Sequence, residues 1–148
     1  MPNIKDIWLY ANNVIRSSRQ FLNEGLRLLN LSSAEGNILM HLFTKRSGIK
    51  QEDIVAQLDI SKPAVSRAIA SLKKKGYVKS YKDSMDKRVR RIFLTQKASR
   101  IKAEVERIYD EIYVIAAEGV SEEEADSFIE LFGRISRNFS RASRKQKT

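Results

Sequence analysis

Apolar residues recur every three or four positions along most of the chain, a spacing that is typical of amphipathic α-helices. The first apolar stripe begins at Ile4, includes Trp8 and Ile15, and continues for about seven turns to Leu29. One small domain has too little surface to cover so long a stripe, so we expect a partner subunit to bury the remainder. Five further helices are predicted, and they begin after Ser32, at Gln51, and after Ser61, Thr95 and Ser121.

The ends of these helices carry capping signals. Ser32 and Ser121 are each followed three positions later by Glu, which is the pattern of a capping box. Ser61 is predicted to be an N-cap with Pro63 in the first turn of its helix. Gly76 follows three lysines and is predicted to end the same helix.

Two β-rich stretches predict a hairpin. The first is Tyr77 to Tyr81, which alternates between apolar and polar residues, and the second is Arg91 to Thr95. The polar residues Asp83 to Lys87 lie between them as a loop. Ile49 and Lys50 are long enough only for a very short additional strand.

The excess of positive charge is concentrated in one part of the chain. Residues 61–100 carry 13 basic and 2 acidic side chains, whereas residues 1–60 carry 7 and 6. Residues 101–133 carry 2 basic and 10 acidic side chains, and residues 134–148 carry 6 basic and none acidic. The basic block favours a polyanion as partner. We expect the last residues, Ser140 to Thr148, to be frayed, and whether they touch a polyanion stays open.

A short helix, a tight turn, a second helix and a hairpin follow one another, which is the order of a winged helix-turn-helix. We therefore predict a mainly α fold with a small β-hairpin wing, made of six helices and two to three short strands. Residues 1–30 are expected to form an N-terminal dimerisation helix and residues 31–98 a winged helix-turn-helix DNA-binding domain. Residues 99–148 are expected to form C-terminal dimerisation helices and a basic tail.

Composition excludes several kinds of site. Without Cys there is no disulfide, zinc–thiolate site or thiol redox sensor, and the single His41 cannot supply a histidine pair to a metal. No nucleophile–base pair or Gly-rich phosphate loop is present, so we predict no enzyme, no cofactor and no catalytic or metal-binding residue. Glu122, Glu123 and Glu124 are interpreted as first-turn carboxylates that favour the helix dipole.

No segment is suited to a membrane. The longest uninterrupted apolar run, Ile112 to Ala117, is far shorter than the roughly 20 residues that span a bilayer. The chain reaches an acidic residue at Asp6 without the apolar core of a signal peptide. We therefore expect a cytoplasmic protein with no membrane partner.

The helix after Ser61 has one face suited to a DNA groove. No acidic residue occurs from Ile60 to Lys82, although solvated helix faces normally mix both signs of charge. Arg67 can make a bidentate contact to guanine, and the small and hydroxyl residues around it permit close approach. Plain solvent exposure of a basic face is the alternative. The candidate DNA-binding residues of this helix are Ser61, Lys62, Pro63, Ala64, Ser66, Arg67, Ser71 and Lys74.

The hairpin is predicted to have a narrow basic tip, which includes Arg91. Such a tip is suited to place one guanidinium in a minor groove, where negative potential is concentrated. Asp86 is interpreted as a residue that pairs with a nearby arginine and fixes its direction. A charged tip that only keeps the protein soluble is the alternative. The candidate DNA-binding residues of the wing are Asp86, Lys87, Arg88 and Arg90.

Four aromatic residues, Trp8, Tyr10, Tyr109 and Tyr113, lie on the helices that we expect to dimerise. Packing in the dimer interface is the simpler interpretation, because such interfaces favour amphipathic rings. A pocket for an aromatic effector is the alternative. His41 is interpreted as a packed or dimer-facing residue rather than a ligand.

Four short motifs carry a family resemblance. They are QEDIVAQL at 51–58, SKPAVSR at 61–67, LKKKGYV at 72–78, and the wing triplet DKR at 86–88, followed after six residues by TQKA at 95–98. With these motifs, residues 31–98 resemble the MarR family of bacterial and archaeal transcriptional regulators. Asp59 and Ala98 depart from the family pattern, which usually has glycine at these two positions.

The resemblance implies a homodimer with interlocked terminal helices on a roughly palindromic double-stranded DNA operator, and we expect a repressor. It places the two copies of helix 61–75 of the dimer in successive major grooves about 34 Å apart. Arg88, supported by Asp86, is placed in the flanking minor groove. Release by a phenolic or anionic small-molecule effector stays open. A non-specific architectural DNA- or RNA-binding protein is the alternative function.

Overall fold

The structure, a computed structural model, describes residues 3–45 and 48–147, which form six α-helices and three β-strands. This confirms the predicted mainly α fold with a small β-hairpin. None of the described helices combines the length and apolar character that crossing a bilayer requires. The elements are α1 (Ile4–Arg27), α2 (Ser33–Thr44), β1 (Ile49–Lys50), α3 (Gln51–Leu58), α4 (Lys62–Lys74), β2 (Val78–Lys82), β3 (Arg90–Leu94), α5 (Gln96–Ala117) and α6 (Glu122–Gln146).

The chain divides into two compact units, one that ends at Ile112 and one that begins at Tyr113. The boundary falls within α5, so this helix contributes to both units. The functional division into dimerisation helices and a DNA-binding domain stays a prediction.

The core of the first unit is built from α2, α3, α4, the sheet, one end of α1 and buried residues of α5. Leu26, Ile38, Ile54, Leu72 and Ile92 are fully buried there, one from each of five different elements. Burial of such a side chain stabilises the fold by about 1.5–3 kcal/mol. The helix-turn-helix is therefore held by its own apolar core.

Most of the apolar stripe of α1 lies outside this core. Leu22 and Leu26 are buried, whereas Ile4, Trp8 and Ile15 are exposed. The N-terminal half of α1 consequently has an apolar face that its own unit does not cover. This agrees with the expectation that the stripe is too long for one domain.

The three strands form an antiparallel sheet in the order β1-β3-β2. Ile49 pairs with Ile92, and Val78 pairs with Leu94. The two hairpin strands are each displaced by one residue from their predicted bounds, which is within the usual uncertainty of strand ends. β1 has the two residues expected of it.

The predicted caps and turns are present. Ser32 and Ser121 each accept a hydrogen bond from the N3 backbone N–H in a complete capping box. Gly76 has a φ of 83° and ends α4 as expected. Asp59 has a φ of 49° and a ψ of 42°, so aspartate adopts the left-handed conformation in place of glycine. Ala98 continues α5 and is buried.

In the second unit, α6 is longer than predicted. The expectation that residues from Ser140 onward are frayed is wrong, because α6 continues to Gln146; Thr148 lies outside the described residues. None of the described residues of α6 is buried. Phe128 and Phe132 stack on each other at 5.1 Å between ring centroids and remain exposed, so α6 also has an uncovered apolar face.

Candidate nucleic-acid interface

The N-terminus of α4 begins at a sharp turn made by Asp59. The Ser61 hydroxyl accepts a hydrogen bond from Ala64 N at 3.3 Å, which confirms Ser61 as the N-cap, and Pro63 lies in the first turn. The first turn contains no acidic residue, so no carboxylate neutralises the positive end of the helix dipole. This end of α4 is therefore favourable for a phosphate.

The two faces of α4 separate as predicted. Val65, Ala68, Ile69 and Leu72 are buried in the core. Ala64 and Ser71 are half-buried, and the other candidate residues of this helix are exposed: Ser61, Lys62, Pro63, Ser66, Arg67 and Lys74. In the described residues the side chains of Lys62, Arg67 and Lys74 have no hydrogen bond or ion pair, so their charges are free to meet a ligand.

Gln51, at the start of α3, belongs to this surface and was not predicted. Its amide Nε2 donates a hydrogen bond to Ser66 Oγ at 3.2 Å. The contact fixes the Ser66 side chain on the exposed face of α4. Its sequence signal is weak, because a glutamine opening a helix has many other uses.

The wing presents Arg88 on a carboxylate support. Arg88 Nε donates to Asp86 Oδ1 at 3.2 Å and Nη2 donates to Oδ2 at 3.3 Å, so the pair is bidentate. The hydrogen bond from Arg88 holds the pKa of Asp86 below its usual value. The Arg88 side chain is 91% exposed, so the pair contributes little to stability. Its effect is to direct the guanidinium, which confirms that Asp86 pairs with a nearby arginine.

Arg91 does not lie at the wing tip as predicted. It is in β3 and half-buried, where Nε donates to Asp83 Oδ1 and Nη1 donates to Gly48 O at 2.7 Å. The guanidinium therefore ties the wing to the chain just before β1. Sequence could not show this, because Gly48 and Arg91 meet only in the folded sheet.

Asp83 organises the wing loop and was also missed. Its Oδ2 accepts from Met85 N at 3.0 Å and from Asp86 N at 3.1 Å, while its own N donates to Val89 O at 2.8 Å. The Arg91 hydrogen bond is the main cause that lowers the pKa of Asp83 to about 2. An aspartate followed by Ser-Met-Asp is a turn signal that could have identified it.

We expect the Asp83 carboxyl to titrate with a midpoint of about 2 by NMR. The pKa of Asp83 is lowered from 3.8 by folding. The stabilisation of the folded state by the ionised carboxylate is therefore fully present above pH 3.8 and is lost as the pH falls towards 2. Arg91→Met should move the midpoint up towards the ordinary value. A parental midpoint near 4 would show that the ion pair does not form in solution.

The structure places one candidate residue of α4 and two of the wing at the same cleft. Lys62 of α4 and the wing residues Arg88 and Arg90 line an open cavity of about 330 Å³. Glu52 of α3 lies in the same lining, so one carboxylate accompanies the three cations. Lys87 is exposed on the wing loop beside them. The cations of helix and wing therefore belong to one surface.

The four aromatic residues do not form one group. Tyr109 is buried in the core and its hydroxyl donates to Asn37 Oδ1 at 2.6 Å, so the expectation that it packs in a dimer interface is wrong. Trp8, Tyr10 and Tyr113 are exposed. His41 is half-buried, with Nε2 buried, in agreement with a packed histidine.

No group of three or more metal-binding side chains occurs among the described residues. Glu122, Glu123 and Glu124 lie in the first turn of α6, where carboxylates favour the helix dipole.

Comparison with known proteins agrees with this geometry. Residues 29–89 match the model of the MarR family. The chain is 22% identical over 138 residues to the uncharacterised HTH-type transcriptional regulator YybA of Bacillus subtilis, covering 93% of this chain and 91% of the relative.

Solved structures share the fold. A MarR transcriptional regulator from Methanosarcina mazei Go1 has a TM-score of 0.82 at 23% identity, over 93% of this chain and 99% of the other. The MepR–DNA complex of S. aureus has a TM-score of 0.79 at 21% identity, over the same shares. Residues 29–89 therefore match the MarR family, and the chain shares its winged helix-turn-helix fold with solved transcriptional regulators of that family.

Proposed function

We propose that the protein is a cytoplasmic, sequence-specific repressor that binds a pseudo-palindromic double-stranded DNA operator as a homodimer. The observation that carries the proposal is the shared cleft, which is lined by the exposed Lys62 of α4 and by the exposed Arg88 and Arg90 of the wing. A basic helix and a basic wing on one surface suit a duplex whose major and minor grooves are adjacent. The DNA named in the MepR complex supports the same partner.

In this proposal α4 enters the major groove. Arg67 is exposed and has no ion pair with any residue that the structure describes, so its guanidinium can contact guanine O6 and N7. Ser66, held by Gln51, lies one position before it and can reach a phosphate or base edge. Lys62 and Lys74 lie towards the two ends of the helix, where they can neutralise phosphates.

The wing, residues 83–91, enters the flanking minor groove. The Arg88 side chain is 91% exposed and is directed by Asp86 before any DNA is present. Lys87 and Arg90 can contact the phosphates on either side of that groove.

Homodimerisation is supported by the uncovered apolar faces of α1 and of α6, each considered by itself. Leu9 and Val14 of α1 and Phe128 and Phe139 of α6 are more than half exposed. Exposed apolar surface of this extent marks an interaction site. A second copy satisfies the two-fold symmetry that a palindromic operator requires.

The proposal includes release of the protein from DNA by a phenolic or anionic small molecule, and one feature of α1 supports it. Ile4, Lys5 and Trp8 line an open cavity of about 270 Å³ on α1. An indole ring beside an ammonium group suits a small aromatic anion.

Selection of binding sites from random duplexes tests the function. We expect two inverted half-sites centred about 34 Å apart, with a specific-to-non-specific affinity ratio of at least about 10³. Competition with an unrelated duplex and with RNA supplies the control. A pool without a motif, bound equally well by both competitors, would indicate the architectural DNA- or RNA-binding alternative.

A further inference from the structure

Lys75, at the end of α4, is half-buried, whereas the preceding Lys74 is exposed. Its Nζ donates to Glu35 Oε1 at 3.0 Å, to Glu35 Oε2 at 2.9 Å and to Asn30 O at 2.7 Å. These contacts use all three hydrogens of the ammonium group. Lys74, by contrast, is exposed and makes no side-chain hydrogen bond among the described residues.

Glu35 is the buried partner, at 4% exposure. Its Oε1 also accepts from Ser32 N at 3.1 Å, so the same carboxylate closes the capping box of α2. Burial raises the pKa of Glu35, but the Lys75 and Ser32 hydrogen bonds outweigh it and the pKa is lowered. Lys75 therefore joins the end of α4 to the turn between α1 and α2.

The same end of α4 is held from a second side. Lys97 of α5 donates from Nζ to Lys75 O at 2.7 Å, and Thr95 Oγ1 donates to Gly76 O at 2.6 Å. The last turn of α4 is thus tied both to the chain that follows α1 and to the start of α5. Within residues 3–45 and 48–147, the N-terminal end of α4 near the cleft is held by its packing and by the Gln51 contact, without comparable ties.

When a helix is fixed at one end, a small tilt there displaces the other end by a larger distance. The 13 residues of α4 span about 20 Å, so a tilt of about 5° at Lys75 displaces the other end by roughly 2 Å. Hydrogen bonds to base edges do not survive such a displacement, whereas attraction to phosphates largely does.

We propose that Lys75 is a positioning residue for DNA recognition, which orients α4 through Glu35 and does not itself contact DNA. The inference rests on the proposed function. It separates Lys75 from Lys74 in the same run of lysines, since only Lys74 would neutralise a phosphate. It also makes the α1–α2 turn part of what determines sequence specificity.

The test is the double variant E35Q/K75M, with K74M as the matched comparison. The double variant removes both charges of the pair, so the net charge stays +10, and glutamine can still close the capping box. A buried ion pair replaced by neutral residues of similar volume is often tolerated. Thermal unfolding and dimer size establish that each variant is folded at the temperature of the binding assay.

For E35Q/K75M we expect affinity for the duplex selected by the parent to fall about tenfold, a loss comparable with that of one well-placed base contact. Affinity for an unrelated duplex of equal length and the slope of log K against log salt should stay unchanged. K74M removes one phosphate contact from each protomer, so it should weaken binding to both duplexes and reduce the magnitude of that slope by about 1.8. Unchanged operator affinity in folded E35Q/K75M, or a K74M-like pattern, would overturn the proposal.

Amide hydrogen exchange without DNA gives a readout independent of the operator. Exchange should accelerate at the last turn of α4 and at the α1–α2 turn in E35Q/K75M, and stay as in the parent in K74M. Unchanged exchange at both turns contradicts the coupling itself. If the parent shows no specific binding, the proposed function fails before any variant is measured.

Discussion

Raising the salt concentration from about 50 to 200 mM should lower the affinity for the selected operator by about 10³-fold. The loss follows from release of counterions by the exposed cations of the interface. If about half of these residues in the two protomers contact phosphates, six contacts form and the slope of log K against log salt is about −5. The cations are Lys62, Arg67, Lys74, Lys87, Arg88 and Arg90.

Fluorescence anisotropy titrations at four or five salt concentrations measure this slope. An unrelated duplex of the same length serves as the control, and its slope should be similar because the phosphates are the same. A slope for the operator shallower than about −2 would contradict the interface, because too few phosphates would be neutralised.

Replacing the wing arginine should have the next largest effect. Arg88→Ala is expected to weaken operator binding by about 1–3 kcal/mol, or roughly 5- to 150-fold, through loss of one minor-groove guanidinium. The side chain is 91% exposed and packs against nothing in the core, so thermal stability should stay close to that of the parent. Binding is measured with the selected duplex and stability by thermal unfolding.

Two further variants separate the role of Arg88 from its charge. Asp86→Asn keeps Arg88 but loses the ionic support, so it should weaken binding in the same direction by a smaller factor. Arg100→Ala removes an exposed arginine from the same basic block but from α5, and should have only a small effect. If Arg88→Ala bound the operator as tightly as the parent, the wing would not reach the DNA.

The helices could be predicted because their signals are local. Capping boxes at Ser32 and Ser121, the N-cap Ser61 and the glycine at Gly76 all lie within a few residues of the ends they mark. The C-terminus of α6 was underestimated because its apolar stripe stops at Phe139. The residues beyond it are mostly arginine, lysine, glutamine and alanine, which are good helix formers, and the basic ones favour the C-terminal dipole.

The candidate interface was predictable as far as exposure and charge determine it. The separation of the α4 faces follows from a 3.6-residue period, and the support of Arg88 by Asp86 comes from residues two apart. The longer-range contacts were not predictable: Arg91 meets Gly48, and Lys75 meets Glu35, each across 40 or more residues. Lys74 and Lys75 are neighbours in one run of lysines, and nothing in that run shows which of them binds a buried carboxylate. Only the packing of the folded chain distinguishes the two.

The hydrogen bonds of Asp83 have a consequence for the entropy of binding. Ordering a flexible residue costs about 1–2 kcal/mol, so a disordered loop of the length of residues 83–89 would cost on the order of 10 kcal/mol to immobilise. Here Asp83 holds that loop through Met85, Asp86 and Arg91 in the free protein. DNA then has to immobilise side chains of the wing rather than its backbone, at about 2 kcal/mol of rotamer entropy for each long basic side chain. The conformational entropy of the wing backbone is lost when the protein folds, before DNA binds. The free energy of the wing–DNA contacts is therefore not reduced by ordering of the loop.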